Sequence, residues 1–154
     1  MDYLIKKVCN QDLNKAFSLI WNTFLEFVAP DYSIEGIETF KVSFIENDNF
    51  KDSFKNGKQI MYGAYFNDDL AGVVSISSNN NVSCAFVEKK YHRKGIATLL
   101  FKQIISELKD EKVEKITLNA SPYAIPFYNN IGFKVLDEQK EFHGIIYTPM
   151  ELIL

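Results

Sequence analysis

Three strand-like runs follow one another in the middle of this chain, over residues 59–66, 70–77 and 82–87. Only Asn67-Asp68-Asp69, and Ser78 with the turn Asn79-Asn80-Asn81, separate them. Linkers this short and polar leave room for tight turns alone, so the runs predict an antiparallel meander. The third run then passes through a basic, Gly-containing loop into an amphipathic helix. Ile96, Leu99, Leu100, Ile104 and Leu108 are spaced to share one face of that helix. A meander followed by a helix with one apolar stripe must bury the stripe on the sheet, which sets the chain in the mixed α/β class.

The flanks extend this plan. Residues 3–8 read as a short first strand. Asn10 or Asp12 can cap a helix to about residue 27, carrying Leu13, Ala16, Phe17, Ile20, Phe24 and Leu25 at helical spacing. Ala29-Pro30 interrupts it, and Ser33 caps a second helix with Ile34, Ile37, Phe40, Phe44 and Ile45 on its stripe. Residues 46–58 read as a loop with a helical turn. Beyond the amphipathic helix come a strand at 115–119, a short helix at 122–130 closed by Gly132, and strands at 133–136 and 147–153. With no repeat or Pro/Gly/Ser-rich linker, residues 1–154 are read as a single domain, a length that suits one core.

Composition removes several classes of function. A net charge of −3 disfavours general affinity for nucleic acid or an anionic membrane. Cys9 and Cys84 show no CxxC spacing, and with His92 and His143 they make no zinc constellation, so no metal is expected. The first dozen residues lack the apolar stretch of a leader, and no apolar run is long enough to span a bilayer. These features predict a cytoplasmic protein with reduced thiols.

Against this acidic background, Lys89, Lys90, Arg93 and Lys94 cluster in the loop before the amphipathic helix, and Arg93 is the sole arginine. A helix N-terminus presents unpaired N–H groups and the positive end of the helix dipole, which suits a phosphate. Gly95 and Ala97 keep the approach to that end open. A glycine before a helix with a solvated charge run is also common in proteins that bind nothing there. Neither GxxxxGK[ST] nor GxGxxG occurs, so the usual nucleotide loops are excluded.

The segment His92-Arg93-Lys94-Gly95-Ile96-Ala97 resembles motif A of the GNAT superfamily of N-acetyltransferases, [Q/R]-x-x-G-x-[G/A] opening a helix. It departs from that motif with His92 in the Gln/Arg position and Lys89 where proline is usual. Asn119, then Ala124 through Phe127-Tyr128 to Gly132-Phe133, resembles motif B. The hairpin around Asn67 and the last strand from Tyr147 are also similar to the family. The resemblance implies a mostly antiparallel central sheet of about six to seven strands flanked by about four helices. It implies acetyl-CoA as cosubstrate, bound by Phe86, Val87, His92, Arg93, Lys94, Gly95, Ile96, Ala97, Thr98, Asn119 and Tyr128. The partner it implies is a small-molecule or peptide amine, and a homodimer is an arrangement open to it.

The reaction implied is direct attack of an amine on the thioester in a ternary complex. The Val87 backbone N–H would polarise the carbonyl and the Tyr128 hydroxyl would protonate the leaving thiolate. The alternative for Tyr128 is plain core packing. No Glu or His lies on residues 81–85, where many relatives carry a base. Glu26, Asp31, Glu38 and His143, or a water relay past Ser83, are the candidates left, with Glu26 placed first. Each of these carboxylates has a competing reading as a solvated surface group. Cys84 reads as a small buried strand residue, and Trp21 as core or groove lining. The rival to an enzyme is a non-catalytic acyl-CoA-binding or sensing module.

Overall fold

The computed structural model describes residues 2–154. β1 (Leu4–Lys7) pairs antiparallel with β2 (Gln59–Phe66), which pairs with β3 (Asp69–Ser77), which pairs with β4 (Asn81–Val87). The meander therefore forms as the short polar linkers require. β5 (Lys115–Ala120) joins β4 in parallel and β8 (Ile145–Ile153) antiparallel, and β6 (Lys134–Val135) and β7 (Lys140–Phe142) both pair with β8. The sheet has eight strands in the order β1-β2-β3-β4-β5-β8-β6, with β7 beside β8. The strand beyond the expected six or seven is β7, whose Lys140-Glu141-Phe142 is exposed throughout and carries no alternation. Among the described residues no helix is long and apolar enough to cross a membrane.

Each face of the sheet carries its own core. On one, α4 (Ile96–Asp110) lays Ile96, Leu100, Phe101, Ile104 and Leu108 over Ala64, Val74 and Ile116, and α5 (Ile125–Ile131) adds Tyr128 beside Phe133. Each such side chain, fully buried, contributes about 1.5–3 kcal/mol. The stripe differs from the expected one by one residue. Leu99 is 41% exposed, and Phe101 is buried in its place. Phe101 follows Leu100 on the side nearest α5, whose Phe127 and Tyr128 rings meet it edge-on or tilted.

On the other face, α1 (Leu13–Thr23) and α2 (Ile34–Phe40) each widen at their C-terminal ends into a π turn, Phe24–Val28 and Lys41–Ile45. Phe24 and Phe40 thereby stack with ring centres 3.9 Å apart, and Trp21 backs them at 5.8 and 6.4 Å. Ser33 caps α2 by accepting from the Gly36 N–H, as its sequence position suggests. Asp12 is not a cap: its carboxylate accepts from the Tyr65 hydroxyl at 2.8 Å. The expected loop at 46–58 holds a third helix, α3 (Asp48–Ser53), capped by Asn47.

Two irregularities shape what lies between the layers. β4 and β5 are in register only at Asn81↔Thr117 and Val82↔Leu118. β4 then continues along β3 as far as Val87, and β5 continues along β8 as far as Ala120. The sheet opens between them. The second is a contact of backbone on backbone. A Cβ on Gly36 would fall 2.2 Å from the Gly144 carbonyl oxygen, so α2 sits against the β7–β8 turn closer than any other residue allows. The Thr39 hydroxyl, 2.7 Å from the His143 carbonyl oxygen, fastens the same junction.

Candidate active site

The gap between β4 and β5 is the base of a cleft of about 1240 Å³ that reaches both faces of the sheet. Its geometry follows from strand alternation. The Glu88 N–H donates to Ala71 across β3. Alternation then turns the N–H and C=O of Val87 the other way, toward the gap that β5 has left. The Val87 carbonyl has a partner there, the His92 ring, with Nε2 2.6 Å away. A ring nitrogen facing a carbonyl must carry the proton, so Nε2 is the donor. The Val87 N–H is left facing the cleft.

Residues 88–95 lead from β4 to α4 through a short 3₁₀ turn at Lys89–Tyr91. Arg93 and Gly95 both take positive φ, 63° and 73°. That geometry favours glycine, and a Cβ at Gly95 would meet nothing within 4 Å. Gly95 is thus required by its backbone conformation, with open space in front of it. No side chain caps α4, and the first helical N–H bond recorded there runs from Leu99 to the Gly95 carbonyl. The amides of Ile96, Ala97 and Thr98 precede it and point out of the helix end.

Phe86, Val87, His92, Arg93, Gly95, Ile96, Ala97, Thr98, Asn119 and Tyr128 all line this one cleft. Ile96 is buried, so its contribution there is its backbone. Lys94 is exposed and does not line the cleft. Glu26 is also outside it: its carboxylate is bound to the Lys89 ammonium at 2.8 Å, and both side chains are largely in water. Glu26, the first-placed base, thus pairs with the basic loop and holds the Lys89 pKa above its ordinary value. Asp31, Glu38 and His143 do not line the cleft either. Ser83, an extra residue bulged out of the β3–β4 register, donates to Gln59 Oε1 at 2.9 Å, so at 2.6 Å it accepts from Ser75.

Tyr128 is 7% exposed, and its hydroxyl has no hydrogen-bond partner among the described residues. Burial, and secondarily Cys84 nearby, pushes its pKa above the ordinary 10.0. The phenol keeps its proton at any physiological pH. Cys84 is buried as expected, and burial pushes its thiol from 9.0 up to about 12, although a Ser75 hydrogen bond pulls the other way. A thiol held neutral is no nucleophile.

The feature with no sequence signal is an aromatic bridge over the mouth of the cleft. Phe27, from the π turn after α1, lies 4.6 Å from the His92 ring and 5.4 Å from Tyr123. It links the basic loop to the segment after β5. In sequence Phe27 is one more apolar residue at helical spacing, and only the widened turn aims it here.

Comparison with known proteins gives the family and the fold. A family model described as an acetyltransferase (GNAT) domain matches residues 28–154. No curated protein sequence matches. Among solved structures, a GCN5-related N-acetyltransferase of Rhodopseudomonas palustris is 16% identical and superposes with a TM-score of 0.86, covering 100% of this chain and 97% of that one. The PaiA N-acetyltransferase of Thermoplasma acidophilum, in complex with coenzyme A, is 22% identical with a TM-score of 0.78, covering all of both chains. A predicted acetyltransferase of Clostridium acetobutylicum, with acetyl-CoA, is 20% identical with a TM-score of 0.69, covering 92% of this chain and 96% of that one.

Proposed function

The chain belongs to the GNAT acetyltransferase family, and from that premise we propose that it moves an acetyl group from acetyl-CoA to an amine by direct attack in a ternary complex. The observation that carries the reading is the coincidence, in one cleft, of an uncapped helix end and the opening between β4 and β5. The residues present fit the cosubstrate. Its pyrophosphate needs clustered N–H donors and positive charge, which the amides of Ile96, Ala97 and Thr98 and the Arg93 guanidinium supply. Its pantetheine arm carries amides that need backbone partners, and the edge of β4 from Ala85 to Val87 offers them opposite Asn119.

Chemistry then falls to two groups. The Val87 N–H faces the gap and serves as the oxyanion donor for the thioester carbonyl. The Tyr128 hydroxyl holds its proton toward the sulfur. Because burial disfavours tyrosinate, Tyr128 acts first as a hydrogen-bond donor to the departing thiolate. Desolvation raises the basicity of the thiolate and of tyrosinate alike, so the contribution of Tyr128 is the hydrogen bond it donates.

Tyr128→Phe removes that donor and little else. Its kcat for thiol release against a panel of amines is expected to fall about 10²-fold, with CoA affinity by calorimetry changed less than threefold. An unchanged kcat would remove Tyr128 from the chemistry. Tight acetyl-CoA binding by the unaltered protein with no amine turned over would mark a sensor.

A further inference from the structure

The half of the cleft facing α1, α2 and the β7–β8 turn is walled by rings: Phe27, Tyr32, Phe44, Phe86, Phe142 and Tyr147. Among the described residues lining the whole cleft there is no Asp, Glu or Lys, and Arg93 is the one permanently charged side chain. This is unusual ground for an ordinary alkylamine, which is a cation near neutral pH. Drawing a cation out of water is costly without a carboxylate partner, and making it a nucleophile requires that it lose a proton. The cleft offers no carboxylate, and the one imidazole that lines it, His92, is committed at Nε2. Ser83 already donates to Gln59 and accepts from Ser75. His92 directs Nε2 at the Val87 carbonyl, with its ring against Phe27. Tyr32 donates to the Ile146 carbonyl at 3.2 Å, and burial pushes its phenol up to about 12.

Resting on the N-acetyltransferase reading, we infer that the acceptor is a flat arylamine, whose nitrogen is already neutral at pH 7 and whose ring stacks on these aromatic walls. A neutral arylamine needs no base before it attacks. Its nitrogen lone pair forms the C–N bond to the acetyl carbon and the C–S bond breaks. One N–H proton of the amine ends on the CoA sulfur, so the products are an N-aryl acetamide and CoA thiol. Offset or edge-on ring contacts with Phe44, Phe142 or Tyr147 supply about 0.5–1.5 kcal/mol each beyond area burial. Those same rings could hold a cation by their faces, so charge state is the property to vary.

The test compares three acceptors with acetyl-CoA: para-methylaniline, benzylamine and spermidine. The aniline is expected to have kcat/KM at least about tenfold above benzylamine near pH 7, and no measurable turnover of spermidine. Its rate should be level between about pH 6.5 and 9, whereas benzylamine should gain about tenfold per pH unit as it deprotonates. Phe142→Asp, at a wall residue that is 57% exposed and whose loss spares the core, is expected to lower the aniline rate about tenfold and raise the benzylamine rate. Preferred turnover of spermidine or benzylamine at pH 7 would overturn the inference and leave the acetyltransferase reading standing. CoA binding without turnover of any of the three, or of a wider amine panel, would overturn both.

Discussion

Val87 presents its carbonyl and its N–H to the same gap, and the two groups are treated differently. The carbonyl is held by His92 at 2.6 Å, and the N–H is left open. The carbonyl belongs to the Val87–Glu88 peptide and the N–H to the Phe86–Val87 peptide, so by holding the first His92 restricts ψ of Val87 and steadies the second, a positioning role in the proposed reaction. His92→Ala is expected to lower kcat/KM about tenfold, the value of one hydrogen bond, while the fold is retained. His92→Gln, whose amide can donate to the same carbonyl, should recover most of the loss. Full activity of His92→Ala would show that the clamp has no role. This part of the site was only half visible in sequence. The cluster from Lys89 to Gly95 suits an anion at a helix start, but the same pattern is common where nothing binds, and its resemblance to motif A is what singles it out. That His92 turns inward to the backbone while Lys94 turns outward depends on the positive φ of Arg93, which no pattern of residue types specifies.

Among elements, the junction of α2 with the β7–β8 turn bounds the half of the cleft proposed to take the acceptor. Gly36→Ala would drive a methyl group to 2.2 Å from a carbonyl oxygen, so the helix must retreat. A cost of about 1–3 kcal/mol in urea unfolding is expected, with a raised KM for the amine and an unchanged affinity for CoA. A raised KM for acetyl-CoA instead would place α2 over the wrong half. The legible elements are those with short-range rules. The meander follows from period-two runs and polar turns, and α4 follows from its stripe. The π turns ending α1 and α2, the three-residue β7 and the early parting of β4 from β5 answer to packing between distant segments. Leu99 shows the limit plainly: periodicity admits it to the core stripe, and the nearness of α5 gives that place to Phe101.

On the scale of the whole molecule, the core holds several ionisable groups that folding keeps neutral to higher pH. Burial pushes Cys84 up to about 12 from 9.0 and Tyr32 up to about 12 from 10.0, and raises Tyr62, Tyr65 and Tyr128 as well. A raised folded pKa contributes stability that is complete below the unfolded value and is lost as pH climbs toward the folded value. Stability should therefore be level up to about pH 9, then fall, with Cys84 alone contributing a slope of about 1.4 kcal/mol per pH unit. Urea midpoints measured across this range check it, and Cys84→Ala should move the onset to about pH 10. A midpoint unmoved at high pH would mean these groups ionise freely in the folded protein. One consequence of the parted strands reaches beyond catalysis. Two pairs of residues are the whole splice between the β1–β4 half and the β5–β8 half of the sheet. A cosubstrate lying in that opening is then a fastener, bonded to both sides of a seam the chain leaves unsewn. At a hundredfold excess over its Kd, CoA would add about 2.7 kcal/mol to global stability. It would also slow amide exchange on Ala85 and Val87 together with Asn119, adding a link between two halves that otherwise share the α4 core and the short β4–β5 pairing.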